Sequence, residues 1–213
     1  DRSASVHLAR SPLGIGSDFR PNRIVQDGRY TRSAVTLDVR PDVSLEFLRT
    51  GTGVRLYYER GDGELNYQRA EGRFTVRSNR GPFSLGARLD VGVTNPDAPP
   101  QQFFELGQNQ NLPGYGYKEF AGDQAVVFRL LALRRLPLLG APTRITPRIW
   151  LPPAAPALAL GVQAGWTRAS TPTALATTTA LGSVPTGHPR ASASFTLRIF
   201  GGAVGFGLAT PLD

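Results

Sequence analysis

Phe83 to Val93 alternates between apolar and polar residues without a break. Phe83, Leu85, Ala87, Leu89, Val91 and Val93 fall on one side, and Ser84, Gly86, Arg88, Asp90 and Gly92 on the other. Successive side chains of a β-strand point to opposite faces, so the segment makes a strand with one greasy and one charged face. A tilted strand needs about ten residues to cross a bilayer. Four further segments repeat the pattern, which predicts an all-β chain forming an antiparallel transmembrane β-barrel.

Nine strands can be drawn: Ser3–Ala9, Arg32–Arg40, Gly53–Arg60, Asn66–Ser78, Phe83–Val93, Gly122 to about Arg134, Ala157–Thr167, Arg190–Phe200 and Ala203–Thr210. Gly61-Asp62-Gly63, Asn79-Arg80-Gly81-Pro82 and Gly201-Gly202 read as tight turns, because glycine supplies the positive φ such turns need. Leu136–Pro156 holds six prolines, with room for a short strand at Thr143–Leu151. Arg168–Pro189 reads as a Thr/Ala/Pro-rich loop. The alternation places Val35, Leu37, Leu85, Leu89, Phe128, Leu160, Phe195 and Phe206 toward lipid. It places Asp38, Arg69, Glu71, Arg73, Arg88, Asp90, Arg129, Gln163 and Arg198 toward a lumen.

Connections alternate in length only in part. Residues 10–31, 95–121 and 168–189 are long, whereas 79–81 and 201–202 are short; 61–65 and 135–156 break the alternation. Outer-membrane barrels combine long extracellular loops with short periplasmic turns. The 95–121 segment reads as an extracellular loop folded back into the lumen, since a connection that long without regular structure needs a packed role.

Helical membrane spans do not fit: the apolar run Pro152–Gly165 is interrupted by three prolines. A mean hydropathy of −0.19 does not argue against a barrel, because alternation averages the two faces. The competing fold is a soluble sandwich or lipocalin-like barrel, with the apolar face as its core. Glycine decides between them: Gly161, Gly165, Gly205 and Gly207 sit on the wet faces, where a packed lumen has use for close approach and an exposed face has none.

The chain carries a net charge of +8, and Lys118 is its one lysine. The arginines are dispersed and often lie beside Asp or Glu, without a basic run or a nucleic-acid motif. An arginine-lined lumen or contact with anionic headgroups accounts for the charge, and nucleic acid is not expected as a partner. Cysteine is absent, which excludes disulfides and thiolate chemistry. His7 and His188 have no neighbours at metal-ligand spacing, so no metal is expected. No nucleophile elbow, P-loop or dinucleotide fingerprint occurs. Asp38, Glu59, Glu71, Asp90 and Asp123 could meet in a lumen as catalytic carboxylates. The reading preferred is that they pair with arginines such as Arg55, Arg69, Arg73 and Arg88. Neither an enzyme nor a cofactor is expected.

Asn111 to Asp123 reads Asn-Leu-Pro-Gly-Tyr-Gly-Tyr-Lys-Glu-Phe-Ala-Gly-Asp. Its motif residues are Leu112, Pro113, Gly114, Tyr115, Gly116, Tyr117, Gly122 and Asp123. The segment resembles the sixth extracellular loop and following strand of BamA/TamA-type outer-membrane barrels. Val162–Trp166, Arg190–Ser194 and Gly201–Leu212 resemble later strands of that superfamily, in order. The resemblance covers about the last half of the chain.

It implies a bacterial outer-membrane location and a sixteen-stranded barrel, of which these residues supply about nine strands. Its periplasmic POTRA repeats and last strand are not in these residues. Two positions depart from the pattern: the family's loop arginine is Pro113 and its strand aspartate is Gln163. Those groups are understood to pair inside the lumen, and a buried charge without its partner costs about 3–5 kcal/mol, so their joint absence is coherent. Pro113-Gly114 then reads as a type II turn.

The expected partners are outer-membrane lipid, together with other protein chains or the missing strands of the same chain. The expected function is insertion or translocation of polypeptides, or membrane anchoring. The alternatives are a non-transporting scaffold for a periplasmic or surface partner, and an arginine-lined diffusion pore.

Overall fold

The alternating segments pair edge to edge. In a computed structural model of the protein, residues 24–40, 50–108, 111–137, 140–146, 149–151, 153–200 and 204–212 are described. The chain begins with β1 (Tyr30–Val39), β2 (Gly51–Gly63), β3 (Tyr67–Arg80) and β4 (Phe83–Thr94). A short pair, β5 (Phe104–Leu106) and β6 (Phe120–Gly122), precedes β7 (Gln124–Arg135). Next come β8 (Thr143–Thr146), β9 (Ile149–Leu151) and β10 (Ala157–Arg168). Helix α1 (Pro172–Ala180), β11 (Arg190–Ile199) and β12 (Val204–Pro211) complete the order.

One eight-stranded sheet runs β1-β2-β3-β4-β7-β10-β11-β12, every neighbour antiparallel. It is a meander in which each long strand pairs with the next. β5–β6 and β8–β9 form separate two-stranded units. Among the described residues β1 pairs only with β2, and β12 only with β11, so the sheet does not close on itself. The strand expected at Ser3–Ala9 and the turn at Gly201-Gly202 lie outside the described residues.

The register fixes what each face carries. Leu37, Leu56, Gly72 and Val91 form one outward row across β1 to β4. Phe128, Ala164 and Ala191 continue the same face beyond Leu89. All eight residues expected on the apolar face are exposed, from Leu89 at 39% to Val35 at 70%. The polar face is the buried one: Glu59, Thr75, Arg77, Ser84 and Ser192 are all nearly inaccessible. This inverts the arrangement of a soluble sandwich, whose apolar face would be its core. Contiguous exposed apolar area on a soluble monomer rarely exceeds a few hundred Å².

Among the described residues of the eight-stranded sheet, charges on the outer face are confined to strand ends, with Arg60, Asp62 and Arg168 at one end and Arg80 and Arg134 at the other. Phe83 to Val93 between them spans about 34 Å along the strand.

Four local expectations are corrected. Gly61-Asp62-Gly63 is not the turn, because Gly61 still pairs with Tyr67 and Gly63 with Tyr30. Gly61 is needed for another reason: the Tyr67 ring occupies the space its Cβ would take. The chain reverses instead through Glu64–Asn66, where the Asn66 carboxamide oxygen accepts from the Gly63 N–H. Thr143–Leu151 is a hairpin of two strands, not one strand. The 168–189 loop contains α1. The Gly81-Pro82 turn is tighter than expected, with Arg80 opposite Phe83 and Gly81 at φ +56°, as the first corner of a type II′ hairpin requires.

Candidate functional site: the charged face and its cap

Two connections at the same end of the sheet, 95–123 and 169–189, knit into one cap. The N–H of Ala121 donates to the carbonyl of Val184, and that of Val184 to the carbonyl of Glu119. Thr167 and Thr186 exchange N–H to hydroxyl bonds of 3.0 and 3.1 Å. Asp123, 1% exposed, accepts from the N–H and hydroxyl of Ser170. The carboxylate expected to face an arginine therefore ties the start of β7 to the chain leaving β10.

Helix α1 starts because Thr171 accepts from the Ala174 N–H and Pro172 supplies a preset φ at the first turn. Its Ala174 packs with Tyr67, Ala98 and Phe103.

The cap seats on the polar face through glycine notches. A Cβ on Gly165 would lie 2.9 Å from Leu106 Cδ1 and 3.5 Å from Leu112 Cδ1. Phe104 fills the space over Gly92. Leu106, Leu112 and Phe120 cluster with Val127 of β7, and Leu112 is 0% exposed. Gly114 has φ +94°, as the third corner of a type II turn needs, and touches Pro211 at the end of β12. The 95–123 segment thus reaches from β4 to β12.

One latch reaches from the sheet to the loop. Arg69 stands on the wall and grips the loop: it pairs with Glu71 at 2.7 Å, donates to the carbonyl of Gln102 at 3.1 Å and lies 4.4 Å over the Phe104 ring. Gln163 meets Ser192 and Ser194 at 3.5 Å, at the limit of hydrogen bonding, and among the described residues makes no hydrogen bond to the loop. Pro113 is buried within its turn. Where Leu112 meets Gly165 the loop is held by packing.

The two tyrosines part company. Tyr115 donates to the carbonyl of Ala191 and stacks edge-on to Phe120. Tyr117 is 39% exposed with the Lys118 ammonium above its ring, so only Tyr115 is packed.

Beneath the cap lies a pocket of about 460 Å³, walled by Arg55, Tyr57, Glu71, Arg73, Arg88, Asp90 and Arg129, with Phe104, Glu105 and Asn111 as its roof. Its charges are largely neutralised within the wall. Asp38 meets Arg55 at 2.6 Å, and Asp90 is shared between Arg73 at 2.7 Å and Arg88 at 2.6 Å. Glu59 receives Arg32, Tyr57 and Tyr67. Carboxylates so engaged are poorly placed as general bases. Arg129 sits opposite Arg88 in the register and beside Gln163. Arg198 lies farther along the same face, level with Arg135 across Ala157. All nine residues expected on the charged face share it. Among the described residues no group of three or more His, Asp or Glu could hold a metal.

The glycines of the wet faces signalled the close approach: Gly92 and Gly165 receive the cap, whereas Gly161, Gly205 and Gly207 face their neighbouring strands. The sequence reading did not reveal the Arg69 latch, the Asp123–Ser170 tie or α1. Arg69 and Asp123 were each visible as charged residues, but their partners lie 33 and 47 residues away. No protein-family model matches the chain, and no curated protein matches it.

Proposed function

We propose that these residues form part of an outer-membrane β-barrel of the BamA/TamA type that acts in insertion or translocation of polypeptides. The exposed apolar face spans the membrane, and the charged face is the lumen. The observation that carries the reading is the seating of 95–123 on the charged face. It joins the 169–189 connection and roofs the arginine-lined pocket, which counts against a diffusion pore. The loop that resembles the family's sixth extracellular loop is also the one that folds inward. Among the described residues the outer edges of β1 and β12 have no partner strand, which fits a larger sheet, since hydrocarbon does not tolerate open backbone.

A second reading, a membrane anchor that moves nothing, is favoured by one observation. Pro113 and Gln163 leave the loop held by apolar packing where the family uses an ion pair. Planar-bilayer recording on the full-length protein addresses the closed lumen. Wild type shows no steady open current, and deletion of 103–119 opens one. A steady anion-selective current in wild type would establish the pore instead. Depletion in the native cell separates translocation from anchoring: unassembled outer-membrane proteins accumulate only if the protein handles them.

A further inference from the structure

The outer face carries a feature that membrane crossing does not require. At the end remote from the cap, a groove of about 590 Å³ opens on the apolar side of β3, β4, β7, β10 and β11. Leu85, Leu158, Leu160 and Phe195 give it an apolar lining, and Arg80 and Arg134 stand at its end with no carboxylate among the lining residues. Arg80 pairs with Phe83, and Phe83 with Arg134, so the two arginines flank one aromatic ring on adjacent strands. Two strand spacings put their Cα atoms about 10 Å apart. The Arg134 guanidinium lies over the Phe83 ring, 5.4 Å from its centroid, which draws the charge toward the gap between them. Both arginines are exposed, and among the described residues neither forms an ion pair.

We propose that this groove is a binding site for an anionic phospholipid of the leaflet at the short-turn end. The headgroup phosphate lies between Arg80 and Arg134, and an acyl chain lies along Leu85, Leu158, Leu160 and Phe195. Guanidinium groups match phosphate oxygens with paired, charge-assisted hydrogen bonds, and a basic site at a membrane surface attracts anionic lipid. The apolar floor selects for a lipid over a free phosphate. At the opposite end of the outer face Arg60 is already paired with Asp62 at 2.7 Å, and the groove of about 430 Å³ there has no arginine in its lining.

The site rests on the reading of the outer face as lipid-facing, and the test separates the two. The full-length protein is placed in phosphatidylcholine nanodiscs containing either spin-labelled phosphatidylglycerol or spin-labelled phosphatidylcholine. The immobilised fraction is read by electron paramagnetic resonance. Phosphatidylglycerol is expected to be immobilised several-fold more than phosphatidylcholine. Arg80→Gln with Arg134→Gln brings it down to the phosphatidylcholine level, and Arg60→Gln leaves it unchanged. Equal immobilisation of both lipids in wild type overturns the site and keeps the membrane reading. The absence of any immobilised lipid overturns both.

Discussion

Leu112 is the residue on which the cap turns. It is fully buried, in a loop, against a glycine of the facing strand. Removing a buried leucine side chain costs about 2–5 kcal/mol, the larger values where neighbours cannot collapse into the gap. Here the neighbours are Leu106, Phe120 and Val127, themselves fixed in strands. Leu112→Ala is therefore expected to release the loop while leaving the sheet intact. Limited proteolysis should show new cleavage between residues 107 and 119 with strand content by circular dichroism unchanged. Gly165→Leu approaches the same contact from the wall and should give the same cleavage. A variant that stays resistant would mean that Arg69 and Tyr115 hold the loop without Leu112. Residue chemistry of this kind was half legible. The motif around Leu112 and the glycine on the wet face were both visible in the chain. Their meeting was not, because Leu112 and Gly165 belong to elements far apart in sequence.

The eight expected strands that fall among the described residues were legible because alternation is a local property, and their bounds shift by no more than three residues from expectation. The exceptions share one physical cause, a local signal overridden by a longer-range partner. Asp62-Gly63 carries turn chemistry, yet β1 needs Gly63 as the partner of Tyr30, and the strand continues. Helix α1 has the reverse history. Thr171 and Pro172 are start signals, but Pro-Thr-Ala-Leu-Ala-Thr-Thr-Thr-Ala offers no apolar stripe, and its threonines lower helix propensity. A nine-residue helix of that composition does not persist alone and depends on its cap and on Ala174 packing against Phe103. Thr171→Ala removes the hydroxyl that accepts from the Ala174 N–H and should cost the helix about 0.5–2 kcal/mol. Hydrogen exchange should accelerate at residues 175–183 and remain unchanged in β10 and β11. Acceleration spreading into β10 would mean that α1 supports the sheet and not only the cap.

For the whole molecule, the distribution of side chains decides the solvent. A soluble β domain buries its large hydrophobics. This chain exposes Leu160 at 59% and Phe206 at 64%, and buries Glu59 at 5% and Arg77 at 3%. Full burial of a leucine or phenylalanine is worth about 1.5–3 kcal/mol, and on the membrane-spanning reading hydrocarbon supplies it where the protein does not. Single nitroxides at Leu89, Phe128, Leu160 and Phe195, and at Thr36, Gln163 and Arg198, test this in the reconstituted full-length protein. The account predicts that the first four collide with oxygen, which concentrates in hydrocarbon, in preference to a water-soluble nickel chelate, and that the last three show the opposite preference. A first set more accessible to the chelate than the second would mean that the apolar face meets water, and would contradict the membrane-spanning reading.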